Sequence, residues 1–571
     1  MDTIRLLNEE VISKIAAGEV IERPAYAVKE LIENALDAGA TAIRIDIEKA
    51  GLQKITVSDN GLGMSKEDLE QSFKPHTTSK IFHKNDLVGI RSLGFRGEAL
   101  SSIAAVSYLS IQSRKKNAKV GNEVAIENGK TARIKPVGMA QGTKVTVEEL
   151  FHSVPARKNF LKSLQIEFRY ILQIVTQYAL AFPKIRFFLT HNKKTVLNLS
   201  ENQSSEERIE SLLGEEVYQY IVPVQNEELH VRVSGFISKP QIAQSSTQKQ
   251  FIFINGRSIK NKSISSIIKD TYGTLLTPEN YPVFILFLEL PYDLVDVNVH
   301  PRKEEVNFYN ESVLKQSIVK AVEESLVKHN LAFHDERWKR AVYRPQIGRH
   351  SLIREGATKT YAADLLKEQK LPWELQKTEI KDAADVVQIH KLYLVVQTNK
   401  GVVIFDQHAV HERILFEQYE ERFITRKKSA AFIRLKEPIH LKLSITEKQI
   451  ITESVDILEN LGMKIKNTKN SFSVTDVFIL IKDRNIQEIV TEILNDISEE
   501  KEISIDSRSK RMLAYLACRA AVKAGDKLTK EQCKDLIKQL NKVKNPYTCP
   551  HGRPLKIEIE LQDLHKLFRR T

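Results

Sequence analysis

Cysteine is almost missing from this chain of 571 residues: Cys518, Cys533 and Cys549 are the only three, all in the last tenth. An odd, clustered set excludes a disulfide framework and leaves two readings, core thiols or metal ligands. Long apolar runs are also missing. No stretch approaches the ~18 residues that a spanning helix needs, and residues Met1 to Glu10 are acidic without the apolar core of a signal peptide. No membrane partner is therefore expected, and the protein is expected to be soluble and cytoplasmic. Repeats and low-complexity tracts are absent as well. What is present is a globular balance, with 28% charged and 42% hydrophobic residues. The net charge of +13 favours a polyanionic partner. The length suggests three or four domains, each with its own core.

Periodicity divides the chain. The first ~150 residues alternate helix and strand patterns. Pro24 to Ala38 reads as an amphipathic helix, with Pro24 suited to its first turn. Ala42 to Glu48 alternates strictly and pairs with Ile55 to Ser58 after a turn at Gly51. A second mixed segment follows, with strands at Ile185 to Leu189, Val231 to Ile237, Phe251 to Ile254 and Val283 to Leu290. Its helices lie at Glu167 to Leu180 and Ser263 to Tyr272. Residues 332–384 lose periodicity and read as a linker, broken by Pro345 and Pro372. Order resumes with strands Tyr393 to Val396 and Val402 to Phe405, a helix from His408, and helices at Ser507 to Lys523 and Lys530 to Leu540. The fold class is α/β (α+β), with domains at 1–205, 206–331 and 385–571 around the linker.

Four separated motifs in the first segment converge on a nucleotide with Mg²⁺. On the Pro24 helix, Glu30, Asn34 and Asp37 stand at i, i+4 and i+7, hence on one face. An amide oxygen from Asn34 suits Mg²⁺, and a carboxylate such as Glu30 can orient and deprotonate a water. The second motif, Asp59-Asn60-Gly61-Leu62-Gly63, ends a strand. Its glycines let a ligand approach, and its carboxylate accepts from an exocyclic amine. The third runs from Gly94 through Gly97 to a helix start, where free N–H groups favour phosphate. The fourth, Gly142-Thr143-Lys144-Val145, opens a strand on the adenine side. Each alone has a plainer reading, as a solvated helix face or a strand-ending turn. Gly129-Lys130-Thr131 imitates a P-loop, but Val124 stands where that loop needs glycine, so Asn128-Gly129 reads as a hairpin turn.

Past the linker, His408 and Glu412 stand one helical turn apart, with Asp406 at the preceding strand end. Far along the chain Cys549 and His551 lie two residues apart, and Cys518 adds a thiol. Such a set suits Zn²⁺ or Mn²⁺, with thiolates favouring the first and carboxylates the second. Surface histidines and a core thiol remain the plainer alternative.

The order and spacing of these motifs resemble the Bergerat ATP fold, and the match narrows to the MutL family of DNA mismatch-repair ATPases. The resemblance rests on Ile15-Ala16-Ala17-Gly18-Glu19-Val20-Ile21, Gly94 to Leu100, Val154 to Arg157 and Asp296 to Pro301. It implies a Bergerat ATPase sandwich, a ribosomal-S5-like second domain and a C-terminal α+β dimerisation and endonuclease domain. Within the ATP site it implies that Glu30 is the general base, that Asn34 holds Mg²⁺ and that Asp59 reads adenine. Thr78, Ser79 and Lys80, with Gly94, Phe95, Arg96 and Gly97, would form a lid over the phosphates. Lys303 would reach the γ-phosphate from the second domain, and Arg257 is similar to a residue implicated in DNA binding. The run from Asp406 to Glu417 resembles the motif of members with a latent metal-dependent nuclease. That resemblance assigns Asp406, His408, Glu412, Cys518, Cys549 and His551 to the metal, with His411 given no role and Glu417 assisting. The implied partners are DNA, a second copy of the chain and the mismatch-recognition protein MutS, at the bacterial nucleoid. Where relatives can carry a sliding-clamp peptide beginning with Gln, this chain has Lys436, a departure that leaves the clamp without its usual peptide. An ATP-driven matchmaker without nuclease activity is the alternative. A type II topoisomerase subunit fails for want of a long tyrosine-bearing cleavage domain.

Overall fold

A computed structural model describes residues 20–80, 92–94, 97–127, 130–131, 134–228, 230–276, 280–296, 307–309, 311–329, 386–426, 432–468, 471–478, 485–498, 510, 513–514, 516–518, 521–522, 525–550 and 553–568. The chain divides into two compact units, residues 1–344 with 442–453, and residues 345–441 with 454–571. The expected linker at 332–384 and most of the expected helix at 507–523 lie outside the described residues.

In the first unit, helix α1 spans Pro24–Asp37 and begins where the sequence places it, with Arg23 extended and Pro24 needing no N–H partner. Its Ala25, Val28, Leu31, Ile32 and Ala35 are buried at helical spacing. Gly39, at φ +70°, turns the chain into the first strand. The sheet runs in the order β5 (Lys130–Thr131), β4 (Gly121–Glu127), β3 (Tyr108–Arg114), β7 (Gly142–Glu148), β2 (Lys54–Asp59), β1 (Ala42–Glu48), β8 (Arg186–His191), β9 (Lys194–Leu199), and β6 (Lys135–Val137) pairs with β4. Ile43, Ile45 and Ile47 of β1 face the core because alternate residues of a strand share a side. On that side lie α1, α2 (Ala99–Val106) and α3 (Leu164–Ala181), the last capped by Ser163 and burying Phe168, Ile171, Leu172 and Val175. The hairpin expected at Asn128-Gly129 is flanked by strands that do pair, Ile126 with Thr131, although the two turn residues lie outside the described residues.

The second sheet runs β10 (Ile221–Glu228), β11 (Val231–Ser238), β14 (Phe284–Glu289), β12 (Gln250–Ile254), β13 (Arg257–Ile259), antiparallel except for the β12–β14 pair. Its central strands are buried on both faces. Ile252, Ile254, Phe284, Leu286 and Leu288 join α4 (Lys262–Tyr272) and α5 (Glu311–Lys328) in one core, while Phe251, Phe253 and Ile285 join the core of the first sheet. That double burial explains continuous apolar runs in place of alternation. The pair β15 (Val295–Asp296) and β16 (Asn307–Phe308) follows.

In the second unit β17 (Val386–Ile389), β18 (Tyr393–Thr398), β19 (Gly401–Asp406) and β23 (Lys556–Glu560) form one sheet. Helices α6 (Gln407–Arg426) and α7 (Lys530–Leu540) cover the side carrying Val386, Leu394, Val396, Val403 and Phe405. A second sheet consists of β20 (Phe432–His440), β22 (Ser471–Phe478) and β21 (Met463–Thr468). Among the described residues no helix is long and apolar enough to cross a membrane.

Candidate nucleotide and metal sites

Glu30, Asn34 and Asp37 share the half-buried stripe of α1, flanked by fully buried neighbours. Lys80 brings a cation to it, its Nζ donating to Asp37 Oδ2 at 2.6 Å and to Asn34 Oδ1 at 3.1 Å. Asp37 also accepts the backbone N–H groups of Leu93 at 2.9 Å and Gly94 at 3.0 Å. Gly94 therefore lies against the polar stripe, and a Cβ there would meet Lys80 Nζ at 3.1 Å. Thr78 Oγ1 accepts from the Lys80 N–H at 3.2 Å, and Ser79 is exposed. Gly97, at φ +64°, lets its backbone pass the Thr77 carbonyl at a distance that excludes a side chain. Thr78, Ser79, Lys80, Gly94 and Gly97 thus come together beside α1. Phe95, Arg96 and Lys303 lie outside the described residues.

Asp59 ends β2, and the turn that follows packs against the C-terminal end of α1, with Leu62 N donating to the Ala38 carbonyl at 3.0 Å. Asp59 Oδ1 accepts from Gly61 N at 2.8 Å and from Thr143 N at 3.3 Å. Oδ2 accepts from no described residue, which leaves one acceptor for a ligand amine. Burial pushes the carboxyl up to about 6, against the pull of those two N–H groups. Thr143 Oγ1 pairs with Ser113 Oγ at 2.9 Å, tying the neighbouring strand to the same wall. Gly63, at φ +68°, passes the Arg114 carbonyl so closely that a Cβ would lie 2.1 Å from its oxygen.

Two features were not legible in the motifs. Tyr178 of α3 donates to Glu33 Oε1 at 2.6 Å, placing a buried carboxylate directly behind the Glu30 stripe. Burial and the Glu33 charge push this phenol well above its ordinary value. Arg257 is the second. It is only 7% exposed and donates to the carbonyls of Leu93, at 3.1 Å, and Ser92. The resemblance likens Arg257 to a residue implicated in DNA binding; in this structure its guanidinium is buried and donates to backbone carbonyls of the Ser92–Gly94 segment.

In the second unit Asp406 Oδ1 accepts the Ala409 N–H at 3.0 Å and so starts α6. His408 Nδ1 lies 2.8 Å from the Val522 carbonyl and, as its donor, leaves Nε2 with a lone pair 3.7 Å from Cys518 Sγ. Glu412, one turn on, is buried. His411, to which sequence assigned no role, accepts the Val522 N–H through Nδ1 at 3.0 Å. The two histidines thus hold both polar groups of one residue beside Cys518. Burial, then the neighbouring His408, lowers the His411 pKa. Glu417 accepts the N–H groups of Lys544, at 2.6 Å, and Asn545, at 3.0 Å, and Arg413 Nε donates to Thr548 O at 2.6 Å. These contacts give Glu417 a structural task, holding the segment that ends at Cys549. Cys549 itself is buried with the apolar core, and His551 lies outside the described residues. Among the described residues no group of three or more ligands assembles. His408 with Cys518 is the pair that forms.

Comparison with known proteins is consistent with this layout. Family profiles match residues 22–152 as a histidine kinase-, DNA gyrase B- and HSP90-like ATPase, 209–327 as a DNA mismatch repair protein, C-terminal domain, and 386–528 as a MutL C-terminal dimerisation domain. The DNA mismatch repair protein MutL of Halothermothrix orenii is 33% identical, covering 99% of each chain. That of Methanoculleus marisnigri is 35% identical over 100% of both. Among solved structures, the Aquifex aeolicus MutL ATPase domain complexed with ADP is 32% identical, covers 48% of this chain and 93% of its own, and has a TM-score of 0.37. On the strength of full-length identity above three tenths, the chain belongs to the MutL family of DNA mismatch repair proteins, with an ATPase domain and a C-terminal dimerisation domain.

Proposed function

We propose that this chain is an ATP-switched dimer that couples mismatch recognition by MutS to downstream repair and carries a latent, metal-dependent strand-nicking activity. In the ATP site, Asn34 would hold Mg²⁺ through its amide oxygen, Glu30 would orient and deprotonate the attacking water, and Asp59 Oδ2 would accept the adenine amine. Thr78, Ser79, Lys80 and the Gly94 to Gly97 segment, with Phe95 and Arg96, would close over the phosphates, and Lys303 would be the residue that reaches the γ-phosphate, as the family resemblance implies. Domain boundaries near 205 and 331 separate the switch from its transducer.

The nicking reading rests on one observation, the approach of His408 Nε2 and Cys518 Sγ, with the buried Glu412 one helical turn after His408. An imidazole with a thiolate is donor chemistry for Zn²⁺ or Mn²⁺, and the family resemblance implies that Asp406, Glu412, Cys549 and His551 would complete the set. Such an ion, when bound, supplies an activated water and charge neutralisation at the phosphorus. The chain's own part is orientation. Val522 fixes the His408 ring, and the His411 contact keeps Val522 in place. DNA is held through phosphates by the net positive charge, without reading bases.

Dimerisation has a candidate face. Val387, Val395, Ile404 and Ile557 lie opposite one another across all four strands of the β17–β23 sheet, on the side away from its core. Val387 and Ile557 are about three-fifths exposed, at 58% and 61%, a ladder that a second copy would cover.

The test is nicking of supercoiled plasmid by the full chain with Mn²⁺. Wild-type protein is expected to convert supercoiled to open-circular DNA and the Asp406→Asn variant to lose that activity. Equal activity of the two, or none in either, refutes the nuclease and leaves the matchmaker.

A further inference from the structure

The Ser92–Gly94 segment is gripped from two sides, a feature that the assigned ATP-site roles do not use. From α1, Asp37 Oδ1 accepts the Leu93 N–H and Oδ2 the Gly94 N–H. From the second domain, Arg257 Nη1 donates to the Leu93 carbonyl and Nη2 to the Ser92 carbonyl. One side holds the amides and the other holds the carbonyls of the same short stretch. Asp37 Oδ2 also receives Lys80, which reaches Asn34 Oδ1 as well. A continuous polar chain therefore runs from Asn34 through Lys80, Asp37 and the Leu93 backbone to Arg257.

The placement of Arg257 is built in. It follows the Asn255-Gly256 turn between β12 and β13, with Asn255 at φ +48° and Gly256 at φ +81°. Asn255 locks that turn to the next strand end, its side chain pairing in both directions with Leu290 at 3.0 Å. A guanidinium fork matches two successive carbonyls better than an ammonium does. Burial lowers the Arg257 pKa, while Glu33, Tyr178, Asp37 and Glu30 act in the opposite sense, so this charge stands among the acids of the nucleotide helix.

We propose that Arg257 is a positioning residue that latches the second domain to the nucleotide loop, so that a change of partners at Asn34 and Asp37 is relayed through the Ser92–Gly94 backbone to β12 and β13. The proposal rests on the nucleotide-site reading above. Asn34 Oδ1 now receives Lys80, and a cation bound with nucleotide needs the same oxygen. Releasing Lys80 leaves Asp37 holding only the loop, and Arg257 carries that rearrangement to the second sheet.

Amide hydrogen exchange of the full chain, read by mass spectrometry, tests the latch without requiring catalysis. In nucleotide-free protein, Arg257→Gln is expected to speed exchange at residues 92–94 and 97 by about tenfold or more, the scale of a lost charged hydrogen bond. The amides of β1 and β2 should be unchanged. Arg257→Lys, which keeps the charge but not the planar fork that reaches two carbonyls at once, should fall between wild type and Arg257→Gln. ADP affinity is expected to move far less than exchange, because Arg257 contacts the loop backbone and neither Asn34 nor Asp59. Turnover of ATP should fall through kcat with little change in KM, because the latch acts on closure. Wild-type exchange at residues 92–94 and 97 in the Arg257→Lys and Arg257→Gln variants overturns the latch. So does unchanged exchange combined with lost affinity for duplex DNA, which would return Arg257 to a DNA contact. If Arg257→Gln unfolds, Arg257→Lys decides the case, since wild-type exchange in that variant alone overturns the proposal. Absence of ATP binding by wild-type protein would refute the nucleotide reading while leaving the exchange result standing.

Discussion

Replacing Asp59 by asparagine should strengthen the nucleotide-free fold and weaken nucleotide binding at once. Burial holds the Asp59 carboxyl near 6, above the ordinary 3.8, although Gly61 and Thr143 donate to it. The folded protein therefore binds this proton more tightly than the unfolded chain. Ionisation then costs native stability, a loss that accrues as pH rises from 3.8 to about 6 and is complete above. That gap corresponds to roughly 3 kcal/mol as an upper bound. Asp59→Asn carries no charge at any pH and keeps Oδ1 as acceptor for both N–H groups. At pH 7.5 the variant should exceed wild type by up to roughly 3 kcal/mol, and at pH 5 by about half as much. At about 2–4 °C per kcal/mol, calorimetry would read this as several degrees in Tm. Binding should move the other way. An amide N–H replaces the Oδ2 acceptor and meets the adenine amine donor to donor. Loss of a charged hydrogen bond, about 1.5–3 kcal/mol, weakens ADP and ATP by roughly 10- to 100-fold in titration calorimetry. The reasoning fails if the variant melts below wild type at pH 7.5, or if its nucleotide affinity is unchanged.

Glu30→Ala should keep ATP binding and lose turnover by roughly 10²- to 10⁴-fold, the range of a general base; hydrolysis at the wild-type rate removes Glu30 from that role. Arg208 is fully buried and donates to the carbonyls of Pro183 at 2.5 Å, Ser200 at 2.8 Å, Ile185 at 2.9 Å and Ala179 at 3.4 Å, closing the end of α3. Arg208→Ala should therefore destabilise by on the order of 3 kcal/mol, because several buried carbonyls lose their donor. Denaturant unfolding that matches wild type would show that water replaces the guanidinium there.

Legibility followed the range of the interaction. α1, β1, β2 and α7 stand close to where periodicity puts them, because their signals are local: Pro24 at a first helical position, strict alternation over Ile43, Ile45 and Ile47, and a threonine cap at Thr529. The Glu30, Asn34, Asp37 stripe was legible for the same reason, as was His408 with Glu412. Strands β3, β4 and β9 carry weaker patterns and were recognised only once paired. The helix Ser205–Leu213 joins the first core through Ile209, Leu212 and Leu213 although it follows the strands that end that domain.

By itself the sequence determined the family, the class of fold and the shared face of Glu30, Asn34 and Asp37 on which the proposed nucleotide site rests. Each of these depends on residue type at short spacing, which geometry within one helix or strand turns into a shared face. Tertiary structure alone decided how those groups are used. Lys80 meets Asp37 across 43 positions, Tyr178 meets Glu33 across 145, and Arg257 meets Leu93 across 164. No local period encodes such contacts. The first two follow from the packing of the Lys80 segment and α3 against α1 in the first core, and the third from the second sheet being buried on both faces, which brings the β12–β13 turn to the Ser92–Gly94 segment. That burial is also why Arg257, in sequence an unremarkable loop arginine, holds a buried position beneath the nucleotide loop.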